Sequence, residues 1–143
     1  YWKDTGTPDD ILHANGEIIK KHPEFLQKRF VKDLRNVENL NVNDNVIVGE
    51  NCEFGQDVTI QGPVIIGDNC KILTKSTIGP NVSIGNDSVI SVSLIENSIV
   101  MQNCKIDSIA EIKNSIIASN SEIKDDIGDK KIFLLGEGSK ISL

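Results

Sequence analysis

The chain has 143 residues, a net charge of −6 and only 4% aromatic residues. An acidic protein repels nucleic acid and anionic membrane surfaces, so neither is expected as a partner. There is no apolar run of membrane-spanning length and no signal-like start, so we expect a soluble, cytoplasmic protein.

A helix is predicted directly after the opening residues YWKDTGT, which resemble the end of a strand inside a longer protein. Thr7 is a suitable N-cap, and Pro8 suits the first helical position because the amide hydrogen that proline lacks is unused there. Apolar residues then share one face as far as Lys21, and Pro23 ends the helix. The pattern predicts a helix over residues 8 to 21.

A second helix is predicted over residues 24 to 35. Apolar residues recur there at helical spacing, with lysines and arginines elsewhere on the cylinder. Such a helix would cover the first coil of a solenoid, whose uncapped end exposes both core and strand edge.

From residue 42 to residue 90 a large apolar residue stands at every sixth position. A period of six fits neither an α-helix nor an ordinary strand, but it is typical of the hexapeptide repeats of a parallel β-helix. A small or β-branched residue precedes most of the large ones by two places, so both should point inward. The large residues are Val42, Val48, Phe54, Ile60, Ile66, Ile72, Ile78, Ile84 and Ile90.

Each hexad also carries a corner. Glycine follows the large residue in five hexads, and Asn or Asp often stands two places later; both types tolerate left-handed or strained backbone. Three such sides close a triangular coil of about eighteen residues. The corner residues are Gly49, Gly55, Gly67, Gly79 and Gly85, with Asn51, Asp57, Asn69, Asn81 and Asp87.

Past Ile90 the repeat is interrupted at Glu96 and resumes in a shifted phase. We align one corner row to obtain coils of 18, 18, 16, 17 and 18 residues, which stack into about six coils, the last one partial. Phe54, Ile66, Ile72 and Ile84 are expected to be buried. The aligned row is Val48, Ile66, Ile84, Val100, Ile117 and Leu135.

The residue before each member of that row should point outward, which makes one face apolar. The corresponding row on the next face is mostly charged. A contiguous exposed apolar stripe usually marks an interface, although single isoleucines are common on strand surfaces. We therefore predict a homo-oligomer, with a trimer favoured and a dimer as the alternative. The stripe consists of Ile47, Ile65, Ile99, Ile116 and Leu134, interrupted by Ser83.

Three cysteines complete the pattern. Cys52 and Cys70 are eighteen residues apart at the small inward position, and Cys104 falls in an equivalent place of a later coil. No CxxC or histidine-rich spacing accompanies them, so we expect reduced thiols that act as small apolar fillers rather than metal ligands.

The opening YWKDTGTPDDILHAN resembles the W-x-D-T-G-T-P-x-D motif that closes the catalytic domain of sugar-1-phosphate nucleotidyltransferases, especially long-form glucose-1-phosphate thymidylyltransferases. In that family a left-handed β-helix often follows as a C-terminal domain. The resemblance covers the whole chain. It implies that residues 1 to 40 are the end of the catalytic domain and a helical connector, and that residues 41 to 143 form a left-handed β-helix.

The resemblance also implies chemistry: a sugar 1-phosphate and a nucleoside triphosphate give a nucleotide sugar and pyrophosphate, with glucose 1-phosphate and dTTP as the implied substrates. Asp4 matches the aspartate that helps hold Mg²⁺, although one carboxylate supplies only one corner of such a site. Residues 4 to 7 also read as a simple turn and helix cap. The family's glycine-rich nucleotide loop and other metal aspartate are absent from this sequence, so we expect no catalytic residue here and no activity from the chain alone.

Two other functions compete with this hypothesis. A hexapeptide acyltransferase acting on a sugar nucleotide or sugar phosphate would use a histidine as general base, but the only histidines, His13 and His22, precede the repeats. The same lack argues against a zinc carbonic anhydrase on this solenoid. The other alternative is a purely structural interaction module.

Overall fold

The computed structural model describes residues 8–21, 40–42, 46–125, 134–135 and 140–142. Within these ranges the chain forms one helix and then a series of short strands. In chain order they are α1 (Pro8–Lys21), β1 (Asn41–Val42), β2 (Val46–Val48), β3 (Glu53–Phe54), β4 (Thr59–Ile60), β5 (Val64–Ile66), β6 (Lys71–Ile72), β7 (Thr77–Ile78), β8 (Val82–Ile84), β9 (Val89–Glu96), β10 (Ser98–Val100), β11 (Lys105–Lys113), β12 (Ile116–Ile117), β13 (Glu122–Asp125), β14 (Leu134–Leu135) and β15 (Lys140–Ser142).

Helix α1 has the bounds that the sequence predicts, beginning at the proline and ending at the second of two lysines. The second predicted helix, over residues 24 to 35, lies outside the described residues.

Every strand pairing is parallel, and the strands stack in three columns that form the faces of a prism. The second face consists of β2, β5, β8, β10, β12 and β14. Their register pairs Val48 with Ile66 and so on along the predicted corner row to Leu135. Six strands on one face make about five turns of a parallel β-helix. The predicted fold class is confirmed.

The first and third faces join into one sheet because two strands turn the corner between them without a break. Strand β9 pairs with β6 through Ile90 and with β7 through Ile95. Strand β11 follows it around the corner, with an irregularity between Ser108 and Glu111. The coils that contain β9 and β11 are those that the sequence predicts to be 16 and 17 residues long. Part of their shortening, relative to a coil of 18 residues, therefore occurs at this corner.

The interior is a stack of isoleucines and valines with small residues between them. Ile66, Ile72 and Ile84 are at most 2% exposed, as predicted. Phe54 differs from the prediction because it is only partly buried. The other partly buried residues that pack against the core, Leu40, Val42 and Cys52, also belong to the first coil, where the stack ends.

Two residue types meet two different structural requirements at the corners, and the sequence pattern does not distinguish these requirements. The predicted Asn and Asp corner positions all have left-handed backbone, for example φ 58° at Asn51 and 56° at Asn69. Among the corner glycines only Gly79 has a positive φ, at 99°. At Gly85 the constraint is space, because a Cβ there would lie 2.6 Å from the Gln102 nitrogen and 2.7 Å from the Met101 carbonyl carbon.

Candidate functional site: the second face and its helix

The outward side chains of the second face form one continuous row. Parallel registration brings each outward residue directly beside its counterpart in the next coil, as the predicted coil lengths require. The row runs through Ile47, Ile65, Ser83, Ile99, Ile116 and Leu134.

The side chains of this row have intermediate exposure along its described length. Each member from Ile47 to Ile116 is half-buried, and the side chain of Leu134 is not described. The exposed large apolar residues lie elsewhere, at Ile11, Leu73, Met101 and Ile109. The predicted register is confirmed, and the described members of the row are partly exposed. The oligomer contact itself stays a prediction.

Helix α1 explains part of this burial because it lies against the same face. It contacts β10, and its Leu12 and Ala14 are only 3% and 8% exposed. Ser83, the polar interruption of the row, donates a hydrogen bond from Oγ to Asn15 Oδ1 at 2.8 Å. The serine that the sequence pattern treats as a gap in the stripe is therefore the polar contact point of the helix.

The helix backbone also approaches the neighbouring corner closely. A Cβ at Gly16 would lie 3.3 Å from Asn81 Oδ1, so glycine permits this approach. Two buried atoms here, Asn15 Nδ2 and Asn81 Oδ1, make no hydrogen bond in the described part of the structure. Each unpaired buried polar group costs about 1–3 kcal/mol, which offsets part of the stabilisation that the contact provides.

The third face carries the charged row that the sequence predicts. Registration places Glu53, Lys71, Val89 and Lys105 in succession, followed by Glu122 and Lys140. An open groove of about 490 Å³ lies along this face. Its lining mixes apolar and charged side chains: Leu73, Val89, Ser91, Lys105, Ile106, Asp107, Glu122, Ile123 and Lys124.

Comparison with known protein families decides the assignment of this solenoid. The family described as "GMPPB C-terminal domain" matches residues 60–142, which is more than half of the chain. The chain belongs to this family. The domain is similar to those of sugar-1-phosphate nucleotidyltransferases, so the coarser form of the predicted relationship is confirmed. A second family, "Hexapeptide repeat of succinyl-transferase", matches residues 45–73. No curated protein matches the chain.

Asp4, the residue predicted to have a chemical role, precedes the part of the chain that matches the GMPPB C-terminal domain. Asp4 and His22 lie outside the described residues, and His13 is exposed on α1. Among the described side chains, no three His, Cys, Asp or Glu residues are grouped as metal ligands would be. No helix in the described part of the chain is long and apolar enough to cross a membrane.

The cysteines line the inner corner of the third face, and they are not equivalent. Cys70 and Cys104 are fully buried, whereas Cys52 in the first coil is half-buried. The Cys52 thiol donates to the Gly67 carbonyl of the next coil at 3.0 Å, and Cys70 donates likewise to Gly85 at 3.1 Å. The sequence pattern predicts all three as inert fillers and gives no sign of this difference, which arises from their places in the stack.

The interaction between the two thiols also separates their acidities. The nearby Cys70 side chain is the largest influence on Cys52 and lowers its pKa to about 7, against the opposing effect of burial. The same interaction, together with burial, raises the pKa of Cys70. Burial raises the pKa of Cys104. Of the three, Cys52 is the thiol suited to carry negative charge.

Proposed function

We propose that this chain is the C-terminal part of a sugar-1-phosphate nucleotidyltransferase that converts glucose 1-phosphate and dTTP to dTDP-glucose and pyrophosphate. One observation carries the proposal: helix α1, which directly follows the YWKDTGT motif, packs on a β-helix of the GMPPB C-terminal domain family. The helix that follows the motif in sequence is therefore in contact with the β-helix. The β-helix serves oligomerisation and structural support.

The experiment is a pyrophosphate-release assay on the complete enzyme that carries this region. A matrix of nucleoside triphosphates and sugar 1-phosphates is tested, and we expect the highest kcat/KM for dTTP with glucose 1-phosphate. Preference for another pair would refute the substrate assignment alone. Absence of pyrophosphate release with every pair would refute the nucleotidyltransferase proposal.

Asp4 is proposed as one Mg²⁺ ligand of the complete enzyme, a role that the motif resemblance supports. Bound Mg²⁺ would stabilise the charge that develops on the transferring phosphoryl group. We predict that Asp4→Asn lowers kcat/KM at least about a hundredfold, because a neutral amide replaces a carboxylate at the metal. It should also raise the Mg²⁺ concentration needed for half-maximal activity.

Asp9→Asn is the matched control for this substitution, since Asp9 occupies the variable position of the same motif. It should leave kcat/KM and the Mg²⁺ concentration for half-maximal activity near those of the wild type. Unchanged kinetics in Asp4→Asn would remove Asp4 from the metal site.

A hexapeptide acyltransferase is the second candidate, and the match of residues 45–73 to a succinyl-transferase repeat favours it. That match covers the repeat alone. Both histidines of the chain precede the β-helix, and His13 is exposed on α1, so the expected general base is not supplied by the coils. We expect no release of free coenzyme A from acetyl- or succinyl-coenzyme A with sugar phosphates or sugar nucleotides. If neither assay shows turnover, a structural interaction module becomes the better description.

A further inference from the structure

The structure places two of the three cysteines beside each other in adjacent coils. Registration of Glu53 with Lys71 places Cys52 beside Cys70. Adjacent parallel strands are about 4.8 Å apart, which lies within the Cα separation that disulfides require. Both residues precede their strands at the same inward position, so their side chains leave the backbone on the same side.

The third cysteine is excluded by the same register. Ser88 lies between Cys70 and Cys104 in the stack, and its Oγ accepts a hydrogen bond from the Cys104 amide at 3.1 Å. Two coil steps separate Cys70 from Cys104, about 9.6 Å, which is beyond the reach of a disulfide without backbone movement. Cys104 is therefore an internal control within the same ladder.

We propose that Cys52 and Cys70 form a reversible disulfide that links the first two coils when the protein meets a peroxide. Cys52 is half-buried and so within reach of a molecule as small as hydrogen peroxide, whereas Cys70 is fully buried. The site is a redox modification site at the end of the solenoid nearest helix α1 in sequence.

The chemistry proceeds in two balanced steps. The Cys52 thiolate attacks one peroxide oxygen, the O–O bond breaks, and the products are a Cys52 sulfenic acid and, after protonation, water. The Cys70 sulfur then attacks the Cys52 sulfur, the S–O bond breaks, and the hydroxyl leaves as water with the Cys70 proton. Two thiols lose two electrons to one hydrogen peroxide, and two water molecules form.

The local contacts favour these roles. The Cys52 sulfur already reaches toward the second coil, where it contacts the Gly67 carbonyl. The thiol of Cys70 must turn from the Gly85 carbonyl toward Cys52, which is a side-chain rotation. The nearby Cys70 side chain lowers the pKa of Cys52 and so favours the thiolate, the form that attacks peroxide.

The test is a thiol titration of the full chain before and after brief treatment with stoichiometric hydrogen peroxide. Under denaturing conditions we expect three free thiols to fall to one, with a Cys52–Cys70 cross-linked peptide in mass spectrometry and recovery of three thiols after a dithiol reductant. Cys104→Ser should still lose two thiols. Cys52→Ser should lose none.

Cys70→Ser separates the two steps, because serine already occupies the equivalent position of the next coil at Ser88. It should give a Cys52 sulfenic acid that reacts with a 1,3-dione probe and no intramolecular cross-link. Circular dichroism checks that each variant is folded. The proposal is overturned if the wild type keeps three thiols, if the cross-link involves Cys104 or a second chain, or if Cys52 is oxidised further without joining Cys70.

Discussion

Residues with left-handed backbone set the corners of this β-helix. Nine of the ten described non-glycine residues with positive φ are Asn or Asp, and the tenth is Lys75. Asn and Asp tolerate this conformation because their short polar side chains bond locally. Glycine serves a different need at most corners, where successive coils leave no room for a Cβ. The two residue types are therefore not interchangeable, although both appear as corner signals in the sequence.

The pH dependence of Cys52 reactivity is the first residue-scale prediction. Because its pKa is lowered to about 7 by the nearby Cys70 side chain, its alkylation rate should rise through pH 7 and level off above it. In Cys70→Ala this thiol is lost while burial remains, so the midpoint should move to higher pH. Cys104, whose pKa is raised by burial, should stay unreactive at pH 8. A Cys52 midpoint that does not move in Cys70→Ala would contradict this influence of Cys70.

Ser83 provides the second residue-scale prediction. Ser83→Ala removes the hydroxyl that donates to Asn15 and leaves Asn15 Oδ1 unpaired, which should weaken the docking of α1 by about 1–3 kcal/mol. Hydrogen exchange of the α1 amides should therefore be faster, while exchange in the coils is unchanged. Ser91→Ala, at an outward position of the third face, should change neither the exchange of the α1 amides nor that of the coils. Equal exchange in wild type and Ser83→Ala would show that the helix is held by its apolar contacts alone.

At the scale of the element, each coil depends on its neighbours. Most of the described strands contain only two or three residues, too short to be stable alone, and each coil gains its hydrogen bonds and core only by stacking. The two coils that turn a corner in β9 and β11 show that the stack tolerates deletions. Ser93 donates to the Ile109 carbonyl at 2.7 Å, which provides a contact between these shortened coils.

The central coils should fail when a charge enters their core. Ile72 is fully buried, so Ile72→Asp loses about 2 kcal/mol of apolar burial and adds the larger cost of an unpaired buried carboxylate. We predict loss of the β circular dichroism spectrum and of solubility. Leu73→Asp is the matched control, because Leu73 is adjacent and 43% exposed. A native spectrum for Ile72→Asp would contradict the position of this residue in the core.

At the scale of the whole molecule, the second face connects the β-helix to the preceding segment and to its proposed copies. Helix α1 contacts this face at Ser83 and β10. The apolar row continues on either side, to Ile47 and Ile65 in earlier coils and to Ile116 in a later coil. Half-buried isoleucines still offer apolar area to a partner, so we retain a homo-trimer, with a dimer as the alternative, as a proposal.

This assembly is tested by sedimentation. Replacing Ile65 and Ile116 together by lysine should convert the oligomer to monomer without changing the circular dichroism spectrum, because both residues point outward. The control is Thr59→Lys with Thr77→Lys, a pair that stacks in register on the first face. A wild type that sediments as a monomer at micromolar concentration would contradict the proposed interface.

The sequence by itself determined the coil. The six-residue period predicted the inward rows, the corners and the shortened coils, and it placed Ile66, Ile72 and Ile84 in the core, because stacking in register forces like positions onto like positions. It also predicted both ends of α1, since capping and proline effects act within a few residues.

Only the tertiary structure decided how the parts meet. The docking of α1 on the second face includes a contact between Asn15 and Ser83 across 68 residues of chain, and no local pattern encodes such a contact. The incomplete burial of Phe54 and Cys52 depends on their place at the end of the stack. The distinct acidity of Cys52 arises because the coil brings a second thiol beside it, and proximity in space is set by the fold rather than by residue type.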